Sequence, residues 1–309
     1  MGYPASVRIR EVGPRDGIQS EKAEVPTEKK VELLNALSRT GLRYIEAVSF
    51  VSPIAIPQMA DAKDVWQGMD RSPGVFYSAL VPNKRGAETA AEAGADGMQV
   101  FIAASEEYNL RNVNKPVRDS ISDVEEVVEV GRTSGIPVEG TLSNSFGSPY
   151  EGDVPVERVV EVAGWIVDTG INCISFGDTT GMATPRRVRE VIEAIRSALP
   201  DLELNMHFHD TRGTGLANVL TALELGVDYF DSSIGGMGGS PYAVGATGNI
   251  ATEDLVHMLE DMGIATGVDL DLLIEAGKLA QTFIKGELPS KVLKAGPRLA
   301  GTTGGTSVR

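Results

Sequence analysis

The chain has 309 residues, 42% hydrophobic and 23% charged, an ordinary balance for a soluble globular protein with a full-sized core. Asp plus Glu number 43 against 28 Lys plus Arg, a net charge of −15. That excess argues against a reader of nucleic acid or an anionic membrane surface, yet a few local cations could still hold a phosphorylated small molecule. No stretch approaches the roughly 18 to 20 apolar residues of a membrane span, and the N-terminus lacks the apolar segment of a secretory signal. A single cysteine, Cys173, excludes an internal disulfide framework and fits a reducing compartment, so the expected location is cytoplasmic.

In chain order, strands are expected near Val7–Val12, Tyr44–Ser49, Val75–Val81, Met98–Ala103, Val138–Ser143, Cys173–Asp178, Leu202–His209 and Tyr229–Ile234. Helix signals fill the gaps. Thr27 reads as an N-cap before Val31, Leu34 and Leu37, with a stop at Gly41. Thr184-Pro185 reads as an N-cap followed by proline at the first helical position, and Thr252 opens a helix through Leu255, Met258 and Leu259. Eight strand-then-helix units predict an α/β fold of the (β/α)8 TIM barrel type. The alternative, a doubly wound open sheet, lacks the G-x-G-x-x-G turn after its first strand. A C-terminal helical extension is expected from Leu270 to Ile284. Residues 1–300 then form one domain, and residues 301–309, rich in Gly and Thr, a disordered tail.

The seventh strand carries the clearest chemistry. Alternation puts Leu202, Leu204, Met206 and Phe208 on one face and Glu203, Asn205, His207 and His209 on the other. In a barrel the polar face lines the lumen. His207 and His209 then sit side by side at the C-terminal mouth, where neutral imidazoles can share a divalent metal or simply hydrogen-bond within a polar barrel. The third histidine, His257, falls on a helix and reads as structural or exposed. The first strand runs into Gly13-Pro14-Arg15-Asp16-Gly17, which sets a cation beside a hard oxygen ligand. Arg15 could stabilise a developing oxyanion, or the pair could merely shape a turn. Glu46 shares a face with Tyr44 and Val48 on strand two, and Asp178 ends strand six, where it could also cap the following turn. Together these residues suit chemistry in which a metal organises oxygens while negative charge develops. The segment Gly235-Gly236-Met237-Gly238-Gly239-Ser240 has the freedom of a lid over a barrel mouth, or of a connector or phosphate cradle.

These motifs resemble the 3-hydroxy-3-methylglutaryl-CoA lyase family. The resemblance rests on Val12–Gln19, on Glu46 with Ser49–Pro53, on Pro57–Asp61, Ser148–Gly152 and His207–Thr211, and on the Gly-rich segment through Asn249–Asp254. It covers the chain from about Val7 to about Lys291. It implies a Mg²⁺ or Mn²⁺ held by Asp16, His207, His209 and Asn249, and cleavage of a 3-hydroxyacyl-CoA to acetyl-CoA and a keto acid. Loss of the C3 hydroxyl proton lets the C2–C3 bond break, and the thioester enolate is then protonated. Arg15 would neutralise the enolate oxygen, while Glu46 and Asp178 would orient metal, water or substrate. The acyl-CoA substrate needs cations for its phosphates, and Lys22, Lys84, Arg85 and Arg111 are the loop candidates. A homo-oligomer follows by family analogy. Ser240 stands where the family carries a catalytic cysteine, a poorer acid than a thiol of ordinary pKa about 8.5. Ile54 replaces a frequent lysine, and Asn144 and Ser145–Gly147 also depart from the pattern common in the animal enzymes. These departures leave open citramalyl-CoA or a longer-branched glutaryl-CoA as substrate. A hydroxy-keto acid aldolase and a catalytically silent acyl-CoA-binding homologue are the further alternatives on the same barrel.

Overall fold

The computed structural model describes residues 2–239 and 248–298. Eight strands are formed: β1 (Arg8–Glu11), β2 (Tyr44–Ser49), β3 (Phe76–Leu80), β4 (Gly97–Ala103), β5 (Val138–Ser143), β6 (Cys173–Gly177), β7 (Glu203–His207) and β8 (Tyr229–Ser232). They pair in sequence order, each parallel to the next, and β8 closes onto β1 with Arg10 opposite Asp231. The expected (β/α)8 barrel is therefore what the chain forms.

The helices are α1 (Thr27–Leu37), α2 (Ala62–Gly68), α3 (Lys84–Glu92), α4 (Glu106–Val113), α5 (Val117–Ser134), α6 (Val156–Asp168), α7 (Pro185–Ala198), α8 (Gly215–Glu224), α9 (Thr252–Asp261), α10 (Leu270–Gln281) and α11 (Lys291–Ala295). Helix α7 shows why they form. Thr184 accepts from the Arg187 N–H as N-cap, Pro185 takes the first position, and Val188, Val191, Ile192 and Ile195 make one buried stripe. Each such side chain contributes about 1.5–3 kcal/mol by burial against the strands.

Two local expectations are corrected. Thr27 is the first helical residue rather than the cap; Pro26 takes the cap position, and the Thr27 hydroxyl donates to Asp61 Oδ2 at 2.7 Å. Thr252, by contrast, opens α9 as expected, its hydroxyl drawn 2.6 Å from Glu11 Oε2. On β2 the register slips between Glu46, opposite Ser78, and Val48, opposite Ala79. The bulge turns Val48 to the helix side while Glu46 keeps the lumen face. The C-terminal extension is two helices, α10 ending at Gln281 and the short α11. Ser240 and residues 301–309 lie outside the described residues.

Lumen-facing positions make the barrel interior polar. Arg10, Ser78, Gln99, Ser175, Asn205 and Asp231 are all at most 3% exposed. The outward set, including Ile45, Ala79, Met98, Leu142, Ile174 and Phe230, joins the core beneath the helices. Polar chemistry is thereby confined to the lumen and its mouth.

Candidate active site

At the C-terminal mouth of the barrel, β1 ends in a single wide turn of π-helix, Gly13–Gly17, whose Asp16 and Gly17 N–H groups return to the Val12 carbonyl. This turn carries Arg15 and Asp16 to the mouth. Arg15 Nη1 donates to Asp16 Oδ1 at 2.6 Å, and its Nε donates to Glu46 Oε2 at 2.7 Å. Glu46, buried on β2, is thus the clamp that aims the guanidinium. Burial raises the Glu46 pKa above the usual carboxylate range, against the opposing field of Arg15. Asp16 goes the other way. Burial would raise it, but Arg15, His207 and His209 together lower it, so the carboxylate stands ionised.

His207 at the end of β7 and His209 two residues on turn their Nε2 atoms toward one another, 3.3 Å apart. Burial opposes charging of His207, yet Asp231, bonded to its Nδ1 at 3.0 Å, raises its pKa above the ordinary 6.5. Burial and the neighbouring His207 push His209 down to about 3, which keeps that ring neutral. Ligand atoms of Asp16, His207 and His209 lie within 4.8 Å of one another, the one such group among the described residues. At that distance one Nε2–H can donate to the lone pair of the other, and the same carboxylate and two imidazoles fit a divalent cation.

Asn249 reaches the same place because residues 248–250 run beside the end of β7. His209 bridges Asn249, and Ile250 N donates to the Phe208 carbonyl. Its Nδ2 donates to Asp16 Oδ2 at 2.8 Å and to the Met237 carbonyl at 3.0 Å. Asp178, at the top of β6, spends Oδ1 on the Met182 and Ala183 N–H groups while Oδ2 is buried. The turn-capping role is therefore present, and the His209 N–H also bears on the carboxylate. Burial pushes its pKa up to about 7.

A family model described as HMGL-like matches residues 6–280. The chain belongs to that family. Hydroxymethylglutaryl-CoA lyase from Bacillus subtilis is 47% identical over 294 residues, spanning 95% of this chain and 98% of the relative. The mitochondrial enzyme of Gallus gallus is 45% identical over 297 residues, spanning 96% and 100%. A crystal structure of the B. subtilis HMG-CoA lyase superposes with a TM-score of 0.93, covering 96% of this chain and 99% of that one. An HMG-CoA lyase from Acinetobacter baumannii, in complex with coenzyme A and 3-methylmalate, superposes with a TM-score of 0.91 at 39% identity, each chain covered in full.

Within this HMGL-like barrel, Arg15, Asp16, Glu46, His207, His209 and Asn249 converge, with Asp178 on the neighbouring strand. The cations expected to meet CoA phosphates come from the segment before α1, the start of α3 and α4. Lys22 and Arg85 are exposed. Lys84 overlooks a groove of about 700 Å³ between α3 and α5, lined by Glu88, Glu92, Glu125, Glu126 and Glu129. That acidic lining disfavours an anion. Arg111 pairs with Glu107 and stacks 4.4 Å from the Tyr150 ring centroid. Ile54 is 94% exposed on the loop after β2.

Sequence reasoning passed over the layer below. Asp231 holds His207, and Arg10, Asn205 and Ser175 hold Asp231. The alternation applied to β7 would have put Arg10 of β1 and Asp231 of β8 in the lumen as well.

Proposed function

We propose that this chain is a divalent-metal-dependent carbon–carbon lyase that cleaves 3-hydroxy-3-methylglutaryl-CoA to acetyl-CoA and acetoacetate. The observation that carries the proposal is the group Asp16, His207 and His209, closed on one side by Asn249 and on another by the Arg15 guanidinium. Asp16, both Nε2 atoms and, after a half-turn of its amide, Asn249 Oδ1 would hold Mg²⁺ or Mn²⁺, the hard ions suited to mixed oxygen and imidazole donors. When bound, such an ion supplies Lewis-acid polarisation of substrate oxygens.

The remaining chemistry belongs to the side chains. Cleavage requires that the C3 hydroxyl proton leave, that the C2–C3 electron pair move into the thioester as an enolate, and that C2 then receive a proton. Arg15, fixed by Glu46, offers N–H donors to the enolate oxygen without needing to reorganise. Asp178 keeps one carboxyl oxygen out of the turn cap, and burial raises its pKa to about 7, which suits proton exchange at neutral pH. Ser240 would hydrogen-bond or relay through water where the family resemblance implies a thiol. Lys22, Arg85 and Arg111 are the candidates for the CoA phosphates, and Lys84 is the weakest of the four. A homo-oligomer and a cytoplasmic location complete the reading; the latter fits a free, buried Cys173 whose thiol burial pushes up. Among the described residues no helix is long and apolar enough to cross a membrane.

The test is a panel of thioesters. Acetyl-CoA release from 3-hydroxy-3-methylglutaryl-CoA should exceed that from citramalyl-CoA at equal concentration. Preference for citramalyl-CoA, or cleavage of a free hydroxy-keto acid, would overturn the substrate assignment.

A further inference from the structure

Beneath the mouth lies an ionic layer. Asp231 is 3% exposed and Arg10 2%. Asp231 Oδ1 accepts from Arg10 Nε at 2.8 Å and from Asn205 Nδ2 at 2.7 Å. Its Oδ2 accepts from Arg10 Nη2 at 3.0 Å and from Ser175 Oγ at 3.0 Å, and lies 3.0 Å from His207 Nδ1. Arg10 Nη1 is fixed in turn by Glu139 Oε2 at 2.6 Å. Four strands besides β8 thus converge on one carboxylate or on the arginine that holds it.

We propose that Asp231 and Arg10 are positioning residues for the divalent ion: Asp231 fixes the His207 ring with Nε2 toward His209 and Asp16, and Arg10 fixes Asp231. This rests on the metal reading above. A carboxylate only accepts hydrogen bonds, so facing Asp231 the Nδ1 of His207 carries the hydrogen and Nε2 keeps its lone pair. The contrast with His209 is informative, because its Nδ1 is buried with no partner at all. His207 is the ring whose direction the protein sets. Stability alone does not account for the layer, since a buried ion pair gains little over apolar side chains of the same volume. Its placement under one imidazole gives it a use. Asn205 and Ser175 saturate the remaining lone pairs of Asp231, which leaves it one orientation.

The experiment is Mn²⁺ binding to the metal-stripped full chain, read by the free-ion electron paramagnetic resonance signal. Asp231→Ala should weaken Mn²⁺ binding by about 10–100-fold. Saturating Mn²⁺ should restore most of its kcat with the substrate KM near the wild-type value. Ser175→Ala and Asn205→Ala, which each remove one hydrogen bond and no charge, should weaken binding by about twofold to tenfold. A purely structural layer would instead lower the folded fraction and leave the Kd of folded protein unchanged. Folded Asp231→Ala binding within twofold of wild type would overturn the proposal. If that variant does not fold, unchanged Mn²⁺ affinity in both milder variants overturns it. Wild-type protein that binds no Mn²⁺ would overturn the metal reading itself.

Discussion

Replacing Glu11 by glutamine is expected to stabilise the protein above neutral pH. Glu11 is fully buried at the end of β1. Its Oε1 accepts from the Gly13 and Ile234 N–H groups, both at 2.8 Å, and its Oε2 from Thr252 Oγ1 at 2.6 Å. One carboxyl therefore ties the Arg15–Asp16 turn to the start of the Gly-rich segment. Burial outweighs these three bonds and raises its pKa from 4.5 to about 7. A folded pKa above the unfolded one means that the contribution to stability is whole below about 4.5 and is lost as pH rises through about 7. At 1.36 kcal/mol per decade the loss is about 3 kcal/mol, or about 5 °C in Tm at this chain length. Glutamine fits the same place: Oε1 keeps both backbone bonds, and Nε2 donates to Thr252 Oγ1, whose own hydrogen turns to Ser232 Oγ at 2.9 Å. Urea unfolding from pH 5 to 8.5 should show wild type and Glu11→Gln converging at the acid end and separating by about 3 kcal/mol at the alkaline end. The variant's residual slope belongs to the other groups raised on folding, Glu253, which burial raises to about 8, Asp178, Glu46, Glu21 and His207. A gap of the same size at every pH would refute the reasoning.

Three further substitutions probe the site. Gly238→Ala sets a Cβ 2.4 Å from Asn249 Nδ2 and 3.1 Å from Asp16 Oδ2, at a φ of +117° that alanine rarely adopts. Mn²⁺ affinity and turnover should both fall at least about tenfold while circular dichroism stays native, and unchanged affinity would contradict the geometry. Arg15→Gln should lower kcat by about 10²–10³, far more than it weakens Mn²⁺ binding through Asp16, and near-normal turnover would remove its oxyanion role. Ser240→Cys should raise lyase turnover if serine is a weakened proton donor; no gain on the correct thioester would assign that proton to another group.

The fold was legible because strand and helix periodicities do not overlap. Short apolar runs at Tyr44–Ser49 and Val138–Ser143 coincide with β2 and β5 to the residue. His207 and His209 were legible for the same reason, although β7 ends at His207 and His209 follows as an isolated bridge to Asn249. The bulge at Ala47 was not, because an inserted residue leaves no compositional mark and Val48 is apolar on either face. Thr27 looked like a cap because threonine usually acts on its own backbone; a distant carboxyl, Asp61, took its hydroxyl instead. Arg10, Glu11 and Asp231 carry no local mark of burial in the sequence, and only barrel closure, which sets β8 against β1, makes them neighbours in a dry interior. The CoA cations failed to stand out because exposed lysines and arginines look alike whether or not they meet a ligand.

The most direct test of the account is acetyl-CoA release from 3-hydroxy-3-methylglutaryl-CoA by metal-stripped protein, before and after adding Mg²⁺ or Mn²⁺. The account predicts little release without metal and robust release with it, lost again in Asp16→Ala. Equal release in both conditions, or none from protein shown to hold the ion, would contradict it.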